Sequence, residues 1–149
     1  MERYKAYSTH LKELYGEKVY KLPVNLPVTC PNRISGAGCS FCAETGTGFE
    51  AMDSAVSVTE QLMSTRKYIE KRYHAHKFIA YFQNFTNTYD TIANLKLKYD
   101  SALIDDRIVA LAVATRPDCI TEEVVKLLKS YSEKYYVWVE LGLQTANDQ

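Results

Sequence analysis

The sequence predicts an α/β fold in which four parallel β-strands alternate with helices. Three observations support this class. Short apolar runs typical of buried strands recur along the chain, and amphipathic segments with N-terminal capping residues separate them. The 149 residues, 46% hydrophobic and 24% charged, suffice for one domain with a buried core. Strands that alternate with helices in this way form parallel sheets.

The first predicted elements are a helix and a strand. Residues 8–15 form an amphipathic segment that Gly16 ends, with Ser8 or Thr9 as the expected cap. Residues 19–28 are predicted as the first strand, although proline removes donors from a sheet and two prolines lie within it.

A long loop follows over residues 30–55, which show neither helical nor alternating periodicity. Loops of this length inside a compact domain are usually functional or disordered. This segment contains three of the four cysteines of the chain.

Three helices are predicted from their caps. Ser57 and Glu60 have the spacing of a capping box, Asp90 or Thr91 introduces the next helix, and Thr121 introduces the last. The strands between and after these helices are predicted at 78–82, 108–114 and 136–143. In parallel sheets the chemistry lies at the carboxyl ends of the strands, where the cysteine segment also lies.

Composition narrows the class of protein. Eighteen basic and eighteen acidic residues give a net charge of zero, so no strong overall field attracts nucleic acid or an anionic membrane. The N-terminus is polar rather than a signal peptide, and no apolar run approaches bilayer length. We therefore expect a cytoplasmic protein with reduced thiols, in which clustered cysteines indicate metal binding or catalysis.

The cysteines follow the pattern Cys30-x8-Cys39-x2-Cys42. Three thiolates suit a 4Fe–4S cluster with one open iron, whereas structural zinc needs a fourth ligand. Cys119 or a histidine at 74 or 76 is available for zinc, but those histidines are expected at the opposite edge of the sheet. From spacing alone, a cluster, a zinc site and three incidental thiols all remain open, and Cys119 is expected to lie apart as a buried apolar residue.

Four motifs together carry a family resemblance. They are the cysteine loop with Phe41 before its last cysteine, YFQNFTNTY at 81–89, ATRPDC at 114–119 and ELGLQT at 140–145. The chain resembles the radical S-adenosylmethionine (radical SAM) enzymes, in the YhcC/YtqA-like oxidoreductase branch related to the radical SAM domain of Elongator protein three. The resemblance spans residues 1–149. Residues 1–16 correspond to an N-terminal helical region, and residues 17–149 correspond to the β/α units. It implies a partial TIM-like barrel, about four parallel strands of the family's (β/α)6 barrel.

The resemblance implies a cofactor and a reaction. Cys30, Cys39 and Cys42 would ligate the 4Fe–4S cluster, whose open iron would bind S-adenosylmethionine. Reductive cleavage would give a 5′-deoxyadenosyl radical that abstracts a substrate hydrogen, with flavodoxin or ferredoxin as the electron donor. The relation to Elongator protein three implies tRNA wobble-uridine modification. A non-catalytic iron–sulfur or zinc-binding module is the alternative.

Five further residues are implied as S-adenosylmethionine contacts, and all of them except Gln144 have a structural alternative. Gln83 would line the methionine end, Arg116 would pair with the carboxylate, or instead with Asp118 or Glu140, and Glu140 would bind the ribose. The complete set is Phe41, Gln83, Arg116, Glu140 and Gln144.

The chain also departs from the common family pattern. Eight residues rather than three separate its first two cysteines, which suits the branch, and Gln83-Asn84 replaces the usual Gly-Gly-Glu. We expect these 149 residues to be an incomplete enzyme that self-associates through the open edge of its fourth strand. A basic helical stretch at 66–77 with interleaved tyrosines is either an RNA-binding face or an ordinary solvated surface.

Overall fold

The computed structural model describes residues 3–40, 42–43 and 50–142. Its elements alternate along the chain as the sequence predicts. In order they are α1 (Tyr7–Tyr15), β1 (Val19–Val24), α2 (Pro31–Ile34), α3 (Val58–Tyr73), β2 (Lys77–Phe82), α4 (Ile92–Asp100), β3 (Ile108–Thr115), a 3-10 turn (Pro117–Cys119), α5 (Glu122–Ser132) and β4 (Tyr136–Leu141).

In the described part of the chain, the strands form a four-stranded sheet in the order β1-β2-β3-β4, with all neighbours parallel. Val24 pairs with Phe82, Phe82 with Val113, and Val113 with Val139, so the strands end near one edge. The predicted α/β class is confirmed, and a sheet of this order is compatible with a partial (β/α) barrel.

The two faces of the sheet are covered differently. Helices α3, α4 and α5 pack on one face and contribute Leu62, Leu95 and Leu128 to the larger core cluster. Helix α1 packs on the opposite face, where Leu11 meets a smaller cluster that includes Ala110 and Ala112. Within the described residues, Leu11 is the one buried side chain of α1.

The predicted caps of the three later helices are confirmed. The Ser57 hydroxyl accepts a hydrogen bond from the Glu60 backbone N–H at 3.3 Å, and the reciprocal bond completes the capping box. The hydroxyls of Thr91 and Thr121 accept from backbone N–H groups at 3.3 and 3.2 Å. These local bonds satisfy donors that a helix N-terminus leaves free.

Two predictions at the start of the chain are wrong in detail. Helix α1 begins one residue early, so its cap is Ala6, which has no side-chain acceptor, rather than Ser8 or Thr9. Strand β1 ends at Val24 rather than at residue 28, because the next backbone N–H, that of Asn25, donates to the Gln61 side chain instead of a neighbouring strand.

The segment predicted as a loop over 30–55 contains the short helix α2, whose first residue is Pro31. Proline suits this position because its ring presets the helical φ and no donor is lost there. The predicted last strand is confirmed over 136–141 but ends before Gly142, and its expected final residue, 143, lies outside the described residues.

Gln61 is a fully buried polar residue on α3 that fastens the start and end of the cysteine segment. Its Oε1 accepts from the Asn25 N–H at 2.8 Å, and its Nε2 donates to the carbonyls of Asn25 and Val56 at 2.9 and 2.8 Å. The side chain thereby pairs backbone groups that follow β1 and precede α3.

Within the described ranges, no helix is both long enough and apolar enough to cross a membrane.

Candidate functional site

A cavity of about 480 Å³ opens at the carboxyl edge of the sheet. Its walls come from the segment after β1 and from the ends of β2, β3 and β4. Six of the sequence-predicted residues line it together: Cys30, Cys39, Cys42, Gln83, Arg116 and Glu140. The volume falls in the range typical of small-molecule sites. Two other predicted contacts, Phe41 and Gln144, lie outside the described residues.

The cysteine segment turns tightly around α2. Cys30 immediately precedes this helix, and the Cys42 backbone N–H donates to the Cys39 carbonyl at 3.0 Å, which closes the C-x2-C turn. Gly38 adopts φ +83°, and a Cβ there would lie 3.1 Å from the Arg33 side chain. Only glycine adopts this backbone conformation without strain while the arginine packs so closely.

Each of the three cysteine sulfurs faces an N–H donor. Asn32 Nδ2 lies 3.3 Å from Cys39 Sγ, and Arg33 Nη2 lies 3.6 Å from Cys42 Sγ. Arg116 Nη1 lies 3.5 Å from Cys30 Sγ. Such donors stabilise sulfur in its anionic form, which is the form that ligates metals.

The electrostatic effect is clearest at Cys30. Burial disfavours the thiolate, but the hydrogen bond and the charge of the Arg116 guanidinium favour it, and the pKa of Cys30 lies below its ordinary value. By contrast, burial and the nearby Asp118 carboxylate raise the pKa of Cys119. Cys119 is 8% exposed and is not among the residues that line the cavity.

The Arg116 guanidinium forms an ion pair with Asp118 and also contacts Cys30. Its Nε and Nη2 donate to the two carboxylate oxygens of Asp118 at 2.8 and 2.6 Å. This is the structural alternative weighed for Arg116 from the sequence. The remaining nitrogen points to Cys30, so the guanidinium carries its charge to the cysteine segment.

Glu140 lines the cavity at the end of β4 and accepts three hydrogen bonds. Lys21 Nζ and Trp138 Nε1 donate to Oε1 at 2.6 and 3.2 Å, and Tyr81 OH donates to Oε2 at 2.6 Å. Burial raises the pKa of Glu140, but these donors and the Lys21 charge outweigh burial and hold that pKa below its usual value. Side chains of the sheet therefore hold this carboxylate in place at the wall of the cavity.

The residues present suit a thiolate-ligated cofactor. In the described residues, no three His, Cys, Asp or Glu side chains are grouped to hold a single metal ion. An iron–sulfur cluster attaches each cysteine to a different iron, so its ligands need not surround one point. Gln83 Oε1 is buried at the cavity without a hydrogen-bond partner among the described residues, and it would pair with a donor on a bound ligand.

The sequence did not predict the contacts of Phe85 and Asn87, which follow β2 beside the cavity. Phe85 adopts φ +60°, and the Arg33 guanidinium lies 5.2 Å from its ring centroid. Asn87 Nδ2 donates to the carbonyls of Phe82 and Ala114 at 3.0 and 2.8 Å and so links the ends of β2 and β3. The hint in the sequence was the dense polar run after β2, where side chains bond backbone groups that the sheet leaves free.

The basic stretch around α3 divides into paired and exposed residues. Arg66 Nη1 contacts Asp105, and Lys77 lies 3.3 Å from Glu17. Lys67 and Lys71 are exposed. The pairing of Arg66 and Lys77 reduces the cationic surface that the sequence suggested.

The chain has clear relatives, although no protein-family model matches it. It is 37% identical over 151 residues to the uncharacterized protein YtqA of Bacillus subtilis, across 99% of this chain and 47% of YtqA. It is 39% identical over 143 residues to protein YhcC of Escherichia coli K12, across 93% of this chain and 45% of YhcC. It is 31% identical over 146 residues to the uncharacterized protein MJ0486 of Methanocaldococcus jannaschii, across 96% of this chain and 45% of that protein. The chain thus spans about half the length of the curated relatives it matches.

Proposed function

We propose that this chain is the N-terminal part of a radical SAM enzyme, in which Cys30, Cys39 and Cys42 hold a 4Fe–4S cluster. The observation that carries the proposal is the convergence of these cysteines on one cavity at the carboxyl edge of the sheet, each sulfur beside an N–H donor. Hydrogen bonds to the sulfurs are one means by which proteins set the potential of such clusters.

The cavity walls suit a small polar cosubstrate beside the cluster. Gln83 offers a buried acceptor and Glu140 an ionised one, and we assign both to S-adenosylmethionine. Held by Cys30, Cys39 and Cys42, a reduced cluster would supply the electron for cleavage of S-adenosylmethionine to methionine and a 5′-deoxyadenosyl radical, which would take a hydrogen atom from the substrate. The chain's own residues position the cosubstrate and shield it from water.

The substrate and partners of the whole protein are part of the proposal. On the resemblance to Elongator protein three, we propose tRNA wobble uridine as the substrate and flavodoxin or ferredoxin as the electron donor. We also propose that the 149 residues by themselves associate through the open β4 edge. Tyr136 and Leu141 are half-exposed on that strand, at 47% and 52%, which favours such association.

The test is anaerobic reconstitution of the protein with iron and sulfide. We expect a cluster whose electron paramagnetic resonance signal changes when S-adenosylmethionine is added. An unchanged signal would instead support a non-catalytic electron carrier. Stoichiometric zinc without a visible chromophore would support a zinc-binding module.

Matched cysteine variants sharpen this test. Cys39→Ala should lose the cluster and the cleavage of S-adenosylmethionine, because two thiolates cannot hold the cluster. Cys119→Ala should retain the iron, since that thiol does not line the cavity. Iron loss in the Cys119 variant equal to that in the Cys39 variant would contradict the three-cysteine assignment.

A further inference from the structure

Glu140 lies where the cavity meets the sheet face that α1 covers. Three donors from β1, β2 and β4 reach its carboxylate: Lys21 Nζ at 2.6 Å, Tyr81 OH at 2.6 Å and Trp138 Nε1 at 3.2 Å. Of these four residues, Glu140 alone is among the residues that line the cavity. The donors are side chains of neighbouring strand residues, and they therefore reach the carboxylate from the sheet rather than from the cavity.

Aromatic rings also surround the Lys21 ammonium. Its Nζ lies 3.9 Å from the Tyr81 ring centroid, 5.4 Å from that of Tyr7 on α1 and 5.9 Å from that of Trp138. Cation–π attraction at such distances holds an ammonium in place without competing for the carboxylate. Lys21 is thus fixed by rings on its sides and by Glu140 at its end.

We propose that Lys21, Tyr81 and Trp138 are positioning residues that hold the Glu140 carboxylate at the cavity wall, where the free lone pair of Oε2 accepts a hydrogen bond from a hydroxyl or ammonium group of the cosubstrate. This inference rests on the proposed function, because it takes the cavity ligand to be S-adenosylmethionine. None of the three residues needs to touch that ligand.

The chemistry of a carboxylate explains why such support is useful. Each oxygen has two lone pairs: Lys21 and Trp138 occupy both on Oε1, whereas Tyr81 occupies one on Oε2 and leaves the other free for a ligand. A carboxylate that rotates freely loses rotamer entropy on binding, whereas one already held does not. The negative charge of Glu140 also disfavours anionic ligand groups at this wall. The arrangement therefore contributes to ligand specificity as well as to affinity.

Tyr7 on α1 also faces this cluster, and like Tyr81 it is a titratable phenol. Burial and the Glu140 charge raise the pKa of Tyr7 to about 12, so Tyr7 stays neutral at ordinary pH. Burial and its bond to Glu140 raise the pKa of Tyr81, on which the charge of Glu50 also acts. Both phenols therefore stay protonated in acid, and the Glu140 carboxylate is the group of this cluster whose titration the test follows.

Trp138 provides a direct readout, because it is the single tryptophan of the sequence and bonds to Glu140. We would titrate its fluorescence from neutral to acid pH in the cluster-free protein, with circular dichroism in parallel to detect unfolding. We expect a transition with its midpoint below 4.5, the ordinary value for glutamate, and no such transition in Glu140→Gln. A transition that persists in Glu140→Gln would overturn the inference.

Tyr81→Phe is the decisive variant, since it removes one hydroxyl and keeps the ring beside Lys21. Loss of a hydrogen bond to a charged group should raise the fluorescence midpoint by about one pH unit. Lys21→Met should raise it further, and Lys21→Arg should restore most of the native value. Tyr68→Phe, at a tyrosine that is 59% exposed on α3, is the matched control and should change nothing. An unchanged midpoint in both Tyr81→Phe and Lys21→Met would refute the positioning role.

Equilibrium dialysis of S-adenosylmethionine against the reconstituted protein supplies the ligand test. Tyr81→Phe should weaken binding by about three- to tenfold at unchanged iron content. If Tyr81→Phe shifts the fluorescence midpoint but binds S-adenosylmethionine with native affinity, the proposed contribution of these residues to binding is wrong. If the native protein binds no S-adenosylmethionine, the proposed function fails, while the fluorescence titration still decides whether these residues hold Glu140.

Discussion

Replacing Gln61 by methionine should loosen the segment that carries the cysteines. The change keeps the side chain's length and burial but removes its hydrogen bonds to the backbone of Asn25 and Val56, at 2.8 to 2.9 Å. One N–H and two carbonyls would then lack their partner in a partly buried place. Gln61 is fully buried, so water cannot simply replace its amide.

The magnitude follows from these three bonds. Each unsatisfied group costs about 1 kcal/mol at the lower end of the range for partly buried groups, or about 3 kcal/mol together. The apolar methionine recovers about 1 kcal/mol through burial. We therefore expect a loss of about 2 kcal/mol in the free energy of unfolding, and a urea midpoint lower by about 1 M for a domain of this size.

Urea unfolding followed by Trp138 fluorescence measures the global effect, and limited proteolysis measures the local one. Cleavage should increase within the segment between β1 and α3, because its two ends lose their attachment to Gln61. Met63→Leu, at an α3 side chain that is 52% exposed, controls for substitution in the same helix. A Gln61→Met protein with the native urea midpoint and native proteolysis would refute this reasoning.

Two further predictions concern the support of the site. Tyr99 is fully buried, and its hydroxyl donates to the Asn87 carbonyl at 2.8 Å. Tyr99→Phe should therefore lower the free energy of unfolding in urea by about 1 kcal/mol. Tyr89→Phe, at a side chain that is 44% exposed, is the control and should leave the free energy of unfolding unchanged. Gly38→Ala should reduce iron retention after reconstitution, because φ +83° is strained for alanine and a Cβ 3.1 Å from the Arg33 side chain would force that side chain to shift, while Gly36→Ala, with its nearest contact at 3.6 Å, should retain it. Equal iron retention in the two alanine variants would contradict this account of the turn.

The order of elements and most of the helix starts could be predicted because local interactions determine them. The Ser57, Thr91 and Thr121 caps bond within their own first turns, and the apolar runs of the strands carry their own signal. The end of β1 could not be predicted in this way. It depends on Gln61, which lies 36 residues further along the chain than its partner Asn25.

The candidate site follows the same division. The cysteine spacing indicated a metal or cluster site, and parallel topology brought Gln83, Arg116 and Glu140 to the same edge. Two partners of Glu140 could not be anticipated, since Lys21 and Tyr81 lie 119 and 59 residues away along the chain and no local pattern pairs them with it. Likewise, the choice of Asp118 as the main partner of Arg116 depends on the 3-10 turn that follows β3.

The thin attachment of α1 has a consequence for how the molecule opens. Leu11 is its one buried side chain among the described residues, and it belongs to a small buried cluster with Ile79, Ala110 and Ala112. Burial of one leucine contributes about 1.5 to 3 kcal/mol, much less than the clusters that fasten α3, α4 and α5 to the other face. Amide hydrogens of α1 should thus exchange with solvent well before those of β2 and β3, through a subglobal opening that leaves the sheet intact. Such a hierarchy makes the α1 side of the sheet the first surface to become accessible to another polypeptide.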